Sequence, residues 1–145
     1  MYDVVIGFHY LISSVFLIIA VVLIIWAVRG WVNSYDFSPV FSRLSYFFNL
    51  LLYLQFFTGV FLYFFLKSEI ETDGISLEQA IDQSNIKFWV IEHVSLMLFA
   101  LLISQIGRFF IRQITSDRSK YRAASFYYGI SFIVVIISAF MAIFK

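Results

Sequence analysis

His9 and His93 are the only two histidines in the chain, and each lies a short way inside a long apolar run. The runs begin at Val4 and Phe88, so each imidazole follows its start by five residues. At 1.5 Å per helical residue, both side chains sit roughly 7–8 Å inside the boundary. An ionisable group inside a membrane span usually faces the interior of a bundle and has a partner there. Neutral imidazole is a strong nitrogen ligand, and facing helices of a bundle are where cofactor sites are built. Two imidazoles level with each other on helices running in the same direction suit the two axial positions of one haem iron. Zinc or copper would want a third or fourth ligand. Glu92 is the nearby carboxylate, about 100° around the helix from His93. It suits an acceptor for an imidazole N–H, a proton carrier or a partner for Lys87.

A porphyrin also needs room beside its plane. On the second and fourth apolar runs, Gly59, Ser138 and Ala139 share the depth of the histidines, and small side chains there would let a macrocycle edge approach the backbone. Phe56, Phe57, Tyr63 and Phe99 are candidates to pack its faces. The cofactor-binding set read from the sequence is therefore His9, His93, Gly59 and Ala139, with Glu92, Gln55 and Tyr53 around it. Gln55 or Tyr53 could also meet a quinone headgroup, although a buried amide such as Gln55 or Asn49 commonly joins helices. Two alternatives stay open for the histidines. They could be a structural or water-facing pair, or they could hold a non-haem metal. Small residues serve ordinary helix packing as well.

The elements that must position these residues follow from composition. Apolar residues make up 62% and charged residues 13% of 145; a soluble domain this small carries about 25% charged residues. The mean hydropathy is +0.92. So little polar surface cannot cover a fold in water, so the solvent must be partly lipid. Four apolar runs lie at about 4–28, 44–66, 88–107 and 123–144. Each is long enough for a helix to cross a hydrocarbon core of about 30 Å. The alternation of a barrel strand is absent. The expectation is an all-α, integral membrane, four-helix up-down bundle forming a single domain, with no internal repeat.

Cysteine is absent, which excludes disulfides, thiolate metal sites, iron–sulfur clusters and cysteine nucleophiles together. A net charge of +1 gives no footprint for nucleic acid. No phosphate-cradling glycine loop or nucleophile–base pair is visible. The opening Met1-Tyr2-Asp3 lacks a basic region, and the run after it is too long for a signal peptide, so it reads as the first span.

Basic residues set the orientation. Arg29, Arg43, Arg108, Arg112, Arg118, Lys120 and Arg122 fall in or beside the first and third connections, whereas Lys67, Lys87 and Lys145 lie on the other side. Seven against three places the first and third connections in the cytoplasm, with both termini and the acidic connection 67–87 outside. In the first connection, Asp36 to Pro39 reads as a turn, and Trp31, Tyr35 and Phe37 suit the headgroup layer. In the acidic connection, Ser76-Leu77-Glu78-Gln79 fits a capping box opening a short helix to about Asp82.

With these residues in view, the chain resembles a group of small four-span membrane proteins of Bacteroidota labelled cytochrome b-like. The likeness covers most of the length. It rests on His9, the run Tyr53-Leu54-Gln55-Phe56-Phe57-Thr58-Gly59-Val60-Phe61-Leu62-Tyr63-Phe64, the pair Glu92-His93 and the basic third connection. That group carries a His two residues before the Gln, where this chain has Tyr53. The resemblance implies haem b, electron transfer and a bacterial inner-membrane location. A looser likeness runs to four-span haem proteins that oxidise protoporphyrinogen. The expected function is a b-type cytochrome-like electron-transfer protein with one bis-histidine haem in the outer leaflet. Besides the lipid bilayer, its partners would be quinol or a larger membrane complex. The rival reading is a cofactor-free accessory subunit, and a third is an enzyme acting on a porphyrin or quinone.

Overall fold

The computed structural model describes residues 2–72 and 87–143, with side chains described over 3–65 and 87–141. Helix α1 spans Tyr2–Asn33 and α2 spans Pro39–Thr72. A π-helical turn, Phe88–His93, leads directly into α3, Val94–Gln113, and α4 spans Asp117–Ile143. All four are long and apolar enough to cross a membrane. The four-helix membrane bundle expected from the apolar runs is the architecture observed, and the chain is built as a multi-pass membrane protein.

The helices run beyond the apolar stretches that signal them. Arg29, Arg43, Arg108 and Arg112 are all helical, because hydropathy marks where lipid ends while backbone hydrogen bonding continues until the chain itself breaks. Two short connections result. Between α1 and α2, Ser34 adopts a left-handed conformation at φ 54°, and the Tyr35 amide bonds back to the Gly30 carbonyl at 3.1 Å. That six-to-one bond closes the helix end. The turn expected at Asp36 to Pro39 falls earlier, at Ser34, and residues 35–38 are an irregular lead into α2. Ser38 Oγ accepts from the amides of Val40 and Phe41, and Pro39 occupies the first helical position, where its missing N–H costs nothing. Phe37 departs from the headgroup role: it packs on Phe41 and Tyr121 at 5.4 and 5.0 Å between ring centroids. The expected short helix at Ser76–Asp82 lies outside the described residues.

Helix α1 packs on α2 and α4, and α3 packs on the same two. The bundle is thus a ring in which α1 and α3 are diagonal, as are α2 and α4. Each helix turns one stripe inward at three- and four-residue spacing, such as Phe16, Ala20, Leu23 and Ala27 on α1. The opposite faces expose Ile18, Phe57 and Phe109, each more than 60% accessible. Exposed apolar surface on that scale is what a lipid-facing belt requires.

Polar side chains in the interior are paired across helices. Asn49 Oδ1 accepts from Ser104 Oγ at 3.0 Å and from Gln105 Nε2 at 2.8 Å, joining α2 to α3. Ser131 Oγ donates to the Ala100 carbonyl at 2.8 Å, joining α4 to α3. At the basic end, the fully buried Tyr121 hydroxyl accepts from the Ser38 amide and donates to the Asp36 carbonyl, each at 3.1 Å. Its ring fills the space over Gly30, where an added Cβ would lie 2.6 Å from ring carbons.

Because Tyr121 is held at its hydroxyl and boxed by Phe37 and Phe41, it cannot yield. Gly30→Ala should therefore lower the thermal unfolding midpoint in detergent and cost about 1–3 kcal/mol. Gly129→Ala, at a site where a Cβ meets nothing within 4 Å, should be neutral or stabilising by up to about 1 kcal/mol through helix propensity. Equal effects at the two positions would contradict the packing described.

Candidate functional site

The diagonal arrangement brings the two histidines together inside the bundle. Their ring centroids are 6.4 Å apart and their planes cross at 69°. At that separation the rings are too distant to hydrogen-bond each other directly. One ion bound at about 2.0–2.1 Å from a nitrogen of each ring would span the gap.

Each imidazole is held by a hydroxyl from the other diagonal pair of helices. His9 Nδ1 lies 3.0 Å from Thr58 Oγ1 on α2. His93 Nδ1 lies 2.7 Å from Ser138 Oγ on α4. The Thr58 hydroxyl hydrogen is already directed to backbone carbonyls, Leu54 at 2.7 Å and Gln55 at 3.1 Å. With that hydrogen on a carbonyl, Thr58 accepts from His9, the arrangement that puts the ring proton on Nδ1 and the lone pair on Nε2. An N–H anchored in this way fixes ring orientation and raises the basicity of the opposite nitrogen. One turn deeper, Gln55 Nε2 donates to Ser13 Oγ, which in turn donates to the His9 carbonyl at 2.8 Å. Two polar links one turn apart thus set the register of α1 against α2.

The π turn positions His93. Its i→i+5 bonding stacks residues five apart, which an α-helix would place about 140° apart. Phe88 and His93 consequently share a side, with ring centroids 6.0 Å apart. Trp89 meets the same imidazole at 5.2 Å and 67°, edge to face. Glu92 lies in this turn and is half-buried.

Other residues expected at the site divide into two groups. Gly59 is in place: a Cβ there would meet the His9 ring, 3.8 Å from Cε1, and nothing else within 4 Å. Gln55 is buried beside Ser13, and its Oε1 has no hydrogen-bond partner among the described residues. Ala139, in contrast, is exposed on the outside of α4. Its neighbour Ser138 is the small residue that reaches the histidines, because one helical step rotates a side chain by about 100°. Tyr53 is also on the exposed side of its helix. Phe57 and Phe99 face outward too, and the aromatic neighbours of the imidazole are Phe88 and Trp89. Thr58 was not among the expected site residues. The signal for it was a hydroxyl beside Gly59, at the depth of His9 and three residues from Gln55.

Among the described residues, no group of three or more His, Cys, Asp and Glu side chains converges. The donor set is two imidazoles, too few for a tetrahedral zinc or copper site but complete for a metal that brings its own equatorial ligands. His9 and His93 are the residues that could hold such a group. Comparison with known proteins gives no match to any family model, curated protein or solved structure.

Histidine NMR on isotope-labelled protein tests the geometry without any cofactor. His9 should show a protonated Nδ1 and a bare Nε2, and Thr58→Val should redistribute the tautomers toward Nε2–H. An Nε2–H tautomer in the unaltered chain would contradict the assigned bond direction.

Proposed function

We propose that the chain is a b-type cytochrome-like membrane electron-transfer protein, with His9 and His93 as the axial ligands of one haem. The observation that carries this reading is the imidazole pair itself: two rings 6.4 Å apart across the bundle, with Nδ1 of His9 on Thr58 and Nδ1 of His93 on Ser138. Such a haem supplies one-electron redox chemistry. The likeness to the cytochrome b-like group of four-span proteins, with its Gln55 to Gly59 stretch and Glu92-His93, implies the same cofactor.

The chain's own groups have defined parts in this reading. Thr58 holds the His9 ring in the tautomer that can coordinate, and Ser138 orients His93. Gly59 leaves the flank of His9 free of a side chain, while Phe88 and Trp89 shield His93 from water. Glu92, in the same turn as His93, is the carboxylate that would carry a proton. Gln55 Oε1, a buried acceptor with no partner among the described residues, suits a hydroxyl donor such as that of a quinol.

The excess of Lys and Arg at the opposite end of the bundle supports a cytoplasmic placement of that end in a bacterial inner membrane. The histidines then lie in the outer leaflet and both termini are periplasmic. With no further histidine in the sequence, the chain holds at most one bis-histidine haem. It would exchange electrons with quinol or a partner near one face instead of passing them across the bilayer. A second reading, a cofactor-free subunit of a larger complex, is favoured by one observation: both imidazoles already have hydroxyl partners within the bundle.

The optical spectrum of detergent-purified protein from haem-replete cells separates the two. The first reading predicts reduced-minus-oxidised bands of six-coordinate haem, lost in both His9→Ala and His93→Ala. Thr58→Val should keep those bands and raise the midpoint potential by tens of millivolts, because an imidazole that no longer donates its N–H is a weaker base toward ferric iron. A colourless preparation sinks the haem reading.

A further inference from the structure

At the end of the bundle away from the histidines, α2, α3 and α4 enclose a cleft of about 360 Å³ lined by Arg43, Tyr46, Arg108, Arg112, Lys120 and Tyr128. Its volume is within the range of small-molecule sites, roughly 300–1,000 Å³. Three guanidiniums and one ammonium come from three different helices. A positive-inside bias explains basic residues at this end, but not their convergence on one cavity.

The local charge balance is incomplete. Among the described residues no carboxylate lines the cleft. The acids at this end are Asp36, beside the lining residue Phe37, and Asp117, which is engaged by Lys120 at 3.3 Å. Two of the cations are held in place: the Arg108 guanidinium sits 4.9 Å from the Tyr46 ring centroid, and the Lys120 ammonium 5.1 Å from that of Phe37. Both stacks use the faces of aromatic rings and leave N–H donors over. Bringing Arg43, Arg108 and Arg112 together at a membrane boundary raises their mutual repulsion, which a bound anion relieves. Guanidinium forks match the oxygens of a phosphate.

We propose that this cleft is a binding site for a phosphate-bearing anion, either the headgroup of an anionic phospholipid or a free phosphate. A basic pocket between spans, open at headgroup level, is suited to a phospholipid whose acyl chains lie along the adjacent apolar faces.

The test is the thermal unfolding midpoint of the full chain in neutral detergent, titrated separately with phosphatidylglycerol, phosphatidylcholine and inorganic phosphate. A saturable upward shift with phosphatidylglycerol but not phosphatidylcholine is expected, and the shift should vanish in R43Q/R112Q. R29Q/R122Q removes the same charge from the same end outside the cleft and should retain it. A shift with inorganic phosphate that is equally lost in R43Q/R112Q identifies the free anion as the source. Should the double variant fail to fold, Arg112→Lys keeps the charge without the fork and should weaken the response severalfold. Equal shifts with both lipids, equal loss in the two double variants, or no shift with any anion overturns the proposal.

Discussion

The constraint on which this structure depends is the lack of water in a hydrocarbon core. A polar side chain there must find its partner on another helix or on its own backbone, and each cross-helix pair fixes a rotation and a height. His9 to Thr58 and Gln55 to Ser13 do this for α1 against α2. Asn49 to Ser104 and Gln105 does it for α2 against α3. His93 to Ser138 and Ser131 to the Ala100 carbonyl do it for α3 and its π turn against α4. Each such bond is worth about 1 kcal/mol in a membrane. Their role is register more than strength, since apolar packing alone would tolerate sliding by a turn.

The two ends of the bundle are chemically distinct. Toward the basic end the interior is aromatic: Phe16, Phe48 and Tyr128 pack in succession as tilted pairs with centroids about 5 Å apart, and Phe41 packs on Tyr121. These rings bury large apolar areas. Toward the histidine end Gln55, Thr58, Gly59 and Ser138 surround the imidazoles, alongside the buried Phe88. The charged cleft at the other end abuts the aromatic layer, with Tyr128 in its lining.

Much of this was legible in the sequence. Four apolar runs separated by charge clusters give four spans, because each run alone satisfies the length a bilayer demands. The pairing of His9 with His93 was legible too, since equal depth on helices of equal direction is simple arithmetic. The hydroxyl partners were harder to read. Thr58 and Ser138 are short side chains in long apolar stretches, and serine or threonine in such a stretch usually bonds its own helix. Thr58 does both. Ala139 and Tyr53 show the complementary difficulty: a depth argument places a residue at the right height but does not say which way it faces.

Composition and spacing by themselves determined that this chain is a membrane bundle, where its spans lie, and that two imidazoles occupy one level. These follow from length, hydropathy and the fixed rise of a helix, all of which are local. The tertiary structure decided which face each helix turns inward. It made α1 and α3 diagonal, so that their histidines meet across the centre, and it used a π turn to bring Phe88 around to His93. It also gathered basic residues from three helices into one cleft. The reason is physical: rotation about a helix axis is set by interlocking side chains and cross-helix hydrogen bonds, and these depend on residues far apart in the chain.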